Sequence, residues 1–153
     1  MIAGAAATPL PQYATDHLFE AIGADTVAWE PLDRSTVNGG SGIALRARDL
    51  LKFGQLCLQR GWSGDASVVP ESWVDSVTRP QFAWRTAVGP LRQVTYGMLW
   101  WVSDADPGAF FAWGYGGQFV YVVPSRDLVV VARPIGYSRA KSRPRSSPLK
   151  CSA

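Results

Sequence analysis

Between Ala47 and Arg60, apolar side chains recur at Leu50, Phe53 and Cys57, the spacing that lines one face of an α-helix, and Gly61 follows where a helix commonly stops. An earlier segment, Pro11 to Ile22, places Tyr13, His17, Leu18 and Ile22 near helical spacing and is closed by Gly23. A third, short helix is predicted from Pro70 to Val77, with proline at its start and Trp73 and Val77 on one side. Residues 82–94, with Trp84, Gly89 and Pro90, read as an irregular loop. After Thr95 the period changes to that of strands, and four β-rich runs follow: Thr95 to Val102, Ala109 to Trp113, Gly117 to Val123 and Leu128 to Arg133. The short polar turns between them predict an antiparallel meander. The fold class is therefore α+β, a sheet of about four strands packed with about three helices.

The pattern breaks most sharply at Trp113-Gly114-Tyr115-Gly116-Gly117-Gln118, where three glycines interrupt two apolar runs. Glycine loses more backbone entropy than other residues and offers nothing to pack, so its use in a sheet points to a bend or to something approaching the main chain. A β-bulge and a ligand-binding wall both account for it.

Composition narrows the options. The chain has 153 residues, 47% of them apolar and 18% charged, which is ample for one folded domain. Its net charge of +3 comes from Arg139, Lys141, Arg143, Arg145 and Lys150, whereas residues 1–133 carry ten basic and twelve acidic side chains. A basic tail, 136–153, is thus predicted to be disordered, and residues 1–135 form the domain. The sheet lacks the interleaved Arg and Lys of a nucleic-acid binder. No apolar run approaches the length of a membrane span, and the N-terminal residues lack the charged start of a signal peptide. With only Cys57 and Cys151, a disulfide is not expected and no metal-ligand spacing exists. His17 beside Asp16 is not half of a catalytic triad, because neighbours on a helix point in different directions.

In order along the chain, Leu18-Phe19-Glu20-Ala21-Ile22-Gly23, Trp29, Gly39-Gly40, Ala47-Arg48-Asp49-Leu50-Leu51-Lys52-Phe53-Gly54, Val69-Pro70-Glu71-Ser72-Trp73-Val74, Tyr96-Gly97-Met98-Leu99-Trp100-Trp101 and Gly114-Tyr115-Gly116-Gly117-Gln118 make up a recognisable series. Over about residues 9–132 it resembles the C-terminal portion of the β-lactamase-related serine hydrolases. These include class C β-lactamases, D-alanyl-D-alanine carboxypeptidases, esterases and 6-aminohexanoate-dimer hydrolases, the last being most similar around the Trp-Trp pair and the glycine-rich strand. The resemblance implies a partial β-lactamase/transpeptidase-like fold.

Such hydrolases use a Ser-x-x-Lys nucleophile, a Tyr-x-Asn loop and a Lys-Thr-Gly or His-x-Gly motif. By resemblance, Tyr115-Gly116-Gly117 occupies the third motif, the Gln118 backbone N–H donates to the oxyanion, and Trp113 and Trp84 line the substrate pocket beside Gly116 and Gly117. Tyr115 in place of Lys or His favours a neutral small-molecule ester or amide over a carboxylate-bearing substrate. No cofactor or metal is implied. The first two motifs are expected to precede Pro9, so the nucleophile lies outside this chain, in a missing N-terminal part of the same domain. Ser138-Arg139-Ala140-Lys141 and Ser147-Pro148-Leu149-Lys150 match Ser-x-x-Lys only by chance, in the tail. Two functions are consistent with this: a serine hydrolase represented by a fragment that is inactive by itself, or a non-catalytic product that keeps an aromatic binding groove. A core left partly uncovered is the expected consequence.

Overall fold

The computed structural model of the chain describes residues 2–25, 27–33, 36–88 and 91–133, with the side chains of residues 2 and 83–86 excepted. The expected tail, 136–153, lies outside these residues, as do both chance Ser-x-x-Lys matches. The N-terminal part consists of α1 (Ile2–Ala6), α2 (Leu10–Ala14), a π-helical turn (Thr15–Phe19) and the short antiparallel pair β1 (Val27–Trp29) and β2 (Ile43–Leu45). The expected Pro11–Ile22 helix is thus α-helical only in its first part. Its last turn closes through the Ala24 N–H, which donates to the Phe19 carbonyl at 2.8 Å, with Gly23 at φ +66°.

Helix α3 (Ala47–Leu58) forms where the periodicity placed it, and Arg60 and Gly61, at φ +54° and +94°, turn the chain out of it. A small hairpin, β3 (Trp62–Ser63) and β4 (Ala66–Ser67), leads to α4 (Glu71–Val77). The buried face of α4 is Val74 and Val77, while Trp73 is 56% exposed. Val74 and Val77 are three positions apart on the helix, and that stripe faces the core.

The main sheet has six strands in the order β10-β9-β8-β7-β6-β5, not about four. Its members are β5 (Phe82–Val88), β6 (Leu91–Tyr96), β7 (Trp101–Ser103), β8 (Phe110–Gly114), β9 (Gln118–Val123) and β10 (Leu128–Ala132), all antiparallel neighbours. The additional strands come from residues 82–94, expected to be a loop. They form a hairpin whose register slips twice, between Phe82 and Thr86 and between Thr86 and Val88. Such bulges break the two-residue alternation by which a strand is recognised. The single run Thr95–Val102 is divided between β6 and β7 by the connector 97–100, where Leu99 holds φ +65° and is 83% exposed.

Helix α3 covers one face of this sheet. Phe110, Val120 and Val122 pack there with Val77 and Trp100, and Leu50, Phe53, Ala112, Val129 and Val131 complete the layer. Each fully buried aliphatic or aromatic side chain of this kind contributes about 1.5–3 kcal/mol. The opposite face carries Val88, Val94 and Phe111 with Trp101, Phe119 and Tyr121. The Trp-Trp pair is split between the two: Trp100 stacks on Phe53 at 6.0 Å, and Trp101 lies against Phe111 at 6.3 Å.

Candidate functional site

The glycine-rich segment is the turn of the β8–β9 hairpin. Strand pairing runs from Phe110↔Val122 to Gly114↔Gln118, so Tyr115, Gly116 and Gly117 form the three-residue connection and Gln118 opens β9. The Gly117 N–H closes the turn on the Gly114 carbonyl at 3.1 Å. Gly116 and Gly117 take φ +98° and +85°, a region that side chains resist, which explains two consecutive glycines without recourse to a ligand. At Gly114 a Cβ would stand 3.0 Å from Gln118 Cγ, a tight contact that the exposed Gln118 side chain can relieve by moving.

The turn is open. Tyr115 is 91% exposed, and Gln118 is exposed beside it. Below them an aromatic surface crosses the sheet. Trp113, 45% exposed, stacks on Phe119 with ring centres 5.8 Å apart and planes at 9°, and stands 5.9 Å from Trp101. Trp101 in turn meets Tyr96 edge-on at 4.8 Å. The structure therefore brings together Trp113, Tyr115, Gly116, Gly117 and Gln118 at one end of a hairpin. Trp84 is on β5, across the sheet order from β8, and its side chain falls outside the described residues. Sequence reasoning missed Trp101 and Tyr96 as members of this surface. Tyr96, Trp101 and Trp113 lie on three different strands and meet only through strand pairing, so no pattern within a single strand signals them.

Other chemistry-bearing groups are elsewhere. His17 lies against the Tyr13 ring at 4.4 Å in the N-terminal helical part. The Cys57 thiol is pushed up to about 12 by burial beneath the sheet, so it is inert as a nucleophile. Among the described residues there is no cluster of His, Cys, Asp or Glu that could hold a metal. Asp49, in the first turn of α3, is buried, with Lys52 Nζ 3.6 Å from one carboxylate oxygen, and Lys52 also donates to the Gly23 carbonyl. Two grooves of about 310 and 350 Å³ flank α3, the first against the β3–β4 hairpin and the second against β10, and neither is lined by the Tyr115–Gln118 turn. What the turn offers chemically is main chain: accessible backbone free of Cβ atoms, next to a wide aromatic face.

Comparison with known proteins agrees with this architecture. The Beta-lactamase family model matches residues 1–133, and the chain belongs to that family. A 6-aminohexanoate-dimer hydrolase of Paenarthrobacter ureafaciens is 26% identical over 120 residues, 75% of this chain and 31% of that protein. A solved Bacillus anthracis protein described as a 6-aminohexanoate-dimer hydrolase superposes with a TM-score of 0.73 at 24% identity, covering 85% of this chain and 34% of the other. A Bacteroides dorei protein described as a β-lactamase superposes with a TM-score of 0.55 at 14% identity over 77% of this chain and 42% of its own. The chain thus spans about a third of the length of the 6-aminohexanoate-dimer hydrolases it matches. Among the described residues no helix is long and apolar enough to cross a membrane.

Proposed function

We propose that this chain supplies the oxyanion side and the aromatic wall of an acyl-transfer cleft in a serine hydrolase that cleaves a neutral ester or amide. The observation that carries the reading is the open Tyr115–Gly117 turn, whose glycines leave the main chain approachable, in a chain of the Beta-lactamase family. In the proposed reaction a serine oxygen attacks the substrate carbonyl carbon while a neighbouring base takes its proton. The carbonyl becomes an oxyanion, and the Gln118 backbone N–H donates to it; loss of such a donor raises the barrier by about 3 kcal/mol. The bond to the alcohol or amine then breaks, the leaving group receives the proton, and water releases the acyl group from serine.

No Ser-x-x-Lys occurs in residues 1–133, so the attacking serine belongs to another part of the domain. Tyr115 stands where the resemblance expects Lys or His, and with no cation at that position a neutral substrate fits better than a carboxylate. Trp113 and Trp101 would hold its apolar portion. A fluorophosphonate probe tests this directly. The 153-residue chain is expected to remain unlabelled, and a polypeptide joining it to an upstream segment with Ser-x-x-Lys and Tyr-x-Asn is expected to label at that serine. Labelling at a serine within residues 2–133 would refute the assignment. Failure of the joined polypeptide to label would favour the second reading, a non-catalytic aromatic groove, which the exposed Trp113–Phe119 stack supports.

A further inference from the structure

The groove of about 310 Å³ between α3 and the β3–β4 hairpin is built from one stretch of chain, residues 22–64, which supplies its walls and its floor. It shares no residue with the glycine turn or the aromatic face. Three bonds hold it in shape: the Ser63 hydroxyl donates to the Ala21 carbonyl at 2.9 Å, the Gly61 N–H to the Leu56 carbonyl at 2.8 Å, and Lys52 to the Gly23 carbonyl. The floor is apolar, with Ile22 and Leu56 buried, and the rim is polar, with Gln55 and Gln59 exposed. An apolar base beneath a few placed polar groups is the composition of a small-molecule cleft, and the volume is at the small end of that class.

Three groups in the groove are uncommitted. Among the described residues the side-chain amides of Gln55 and Gln59 make no hydrogen bond, and the Trp62 ring, 43% exposed, meets no other ring. The Gln59 N–H donates to the Gln55 carbonyl at 2.8 Å, so the two glutamines stand one helical turn apart on one face, with Cβ atoms about 5–6 Å from each other. Among the described residues Lys52 is the one charged side chain on the lining, and its ammonium is already met by the Gly23 carbonyl and by Asp49 Oδ1 at 3.6 Å. The groove therefore presents a balanced cation and no carboxylate.

We propose that this groove binds a neutral sugar, a single pyranose ring laid on the Trp62 indole with adjacent hydroxyls paired to Gln55 and Gln59. Each primary amide offers an acceptor and two donors, and each sugar hydroxyl both donates and accepts, so neighbouring hydroxyls and an amide exchange bonds in both directions. The C–H bonds on the flat side of a pyranose carry slight positive charge and seat against the negative face of an aromatic ring. Ser63, whose proton goes to Ala21, keeps lone pairs to accept one more. Other ligand classes fit worse. An anion would need the ammonium that Asp49 holds, and a cation would find no carboxylate. A wholly apolar molecule would cover both amides without bonding them, which is unfavourable for every polar group left unpaired. The site is separate from the proposed acyl-transfer cleft, and neither depends on the other.

Heteronuclear NMR of the isotope-labelled 153-residue chain, titrated with cellobiose, tests this. The side-chain amide signals of Gln55 and Gln59 and the indole N–H of Trp62 are expected to move saturably, with a dissociation constant of about 1 mM. Trp62→Ala and Gln55→Ala replace exposed side chains, so the spectrum should keep its dispersion while the constant rises about tenfold for each. Trp73→Ala removes a tryptophan that is at least as open, on α4, and should leave the constant unchanged. If Trp62→Ala unfolds the chain, Gln59→Ala, also exposed, gives the same reading. Glucuronate should bind no more tightly than glucose, because Lys52 is balanced. No saturable shift with cellobiose, maltose or lactose, shifts confined to the Trp113 indole, binding indifferent to Gln55→Ala and Gln59→Ala, equal weakening by Trp73→Ala, or tighter binding of glucuronate than of glucose would each overturn the proposal.

Discussion

At Gly54, the middle of α3 meets the sheet so closely that a Cβ would stand 2.5 Å from Val129 Cγ1 and 2.8 Å from Val120 Cγ1. Helix propensity taken by itself favours alanine there by about 1 kcal/mol, while forcing a methyl into a packed core costs about 1–3 kcal/mol. The packing term dominates, because both clashing atoms belong to valines held between α3 and the strands. Gly54→Ala should therefore lower the unfolding free energy by about 1 kcal/mol, seen as a lower urea midpoint at unchanged slope. An unchanged or raised midpoint would show that α3 can lift off the sheet without cost. The residue pattern could not disclose this contact. A glycine inside a helical stripe looks like a weakness until the strand beneath it is known. By contrast, the glycines at 116 and 117 were readable as a backbone requirement from their spacing, and the structure gives each a left-handed φ.

The elements show a similar division. Helix α3 was legible because its periodicity and its terminating glycine agree, and the stripe Leu50, Phe53 and Cys57 packs against the sheet, although its most buried apolar side chain, Leu56, lies off that stripe with Phe19 and Ile22. The 82–94 hairpin was not, since edge strands tolerate polar residues and bulges erase the alternation. Once six strands are in place, the face opposite α3 depends on Phe111, which is fully buried and contacts Trp101, Phe119 and Tyr121 at 6.3, 6.0 and 5.6 Å. Tyr121 is held there too, its hydroxyl donating to Ser103 Oγ at 2.8 Å. Truncating Phe111 to alanine removes a ring from the centre of this layer, at an expected cost of about 3–5 kcal/mol. Trp113, although larger, is 45% exposed and should cost far less on truncation. Thermal melts of Phe111→Ala and Trp113→Ala separate the two roles: the first should be largely unfolded at room temperature and the second should melt close to the parent. Equal destabilisation would mean that the outer aromatic surface is core, not a binding face.

For the molecule as a whole, the consequence is exposed apolar surface. Leu99, Phe82 and Trp73 are 83%, 63% and 56% exposed, in addition to Tyr115 and Trp113 on the hairpin. Scattered apolar side chains are ordinary on a protein surface, but aromatic groups this open on several elements exceed what a monomeric domain needs. The native chain should therefore enhance 8-anilinonaphthalenesulfonate fluorescence at neutral pH, without acid or denaturant. No enhancement would mean that these groups are covered by neighbours in solution. The same openness bears on function, since the proposed cleft is one wall only, and the other wall would come from the part that carries the serine.

What the sequence determined by itself was local: the helix at Ala47–Leu58, the antiparallel meander from Ala109 onward and the glycine turn at 114–117 follow from spacing and backbone preference, which act between near neighbours. The tertiary structure alone decided the rest. The hairpin that enlarges the sheet, the layers to which Trp100 and Trp101 belong and the close seat of Gly54 appear only once the helix and the strands are assembled. The seat of Gly54 is set by α3 meeting β9 and β10 far along the chain, which no short window of sequence contains, whereas the β5–β6 hairpin is local and is hidden by its register slips.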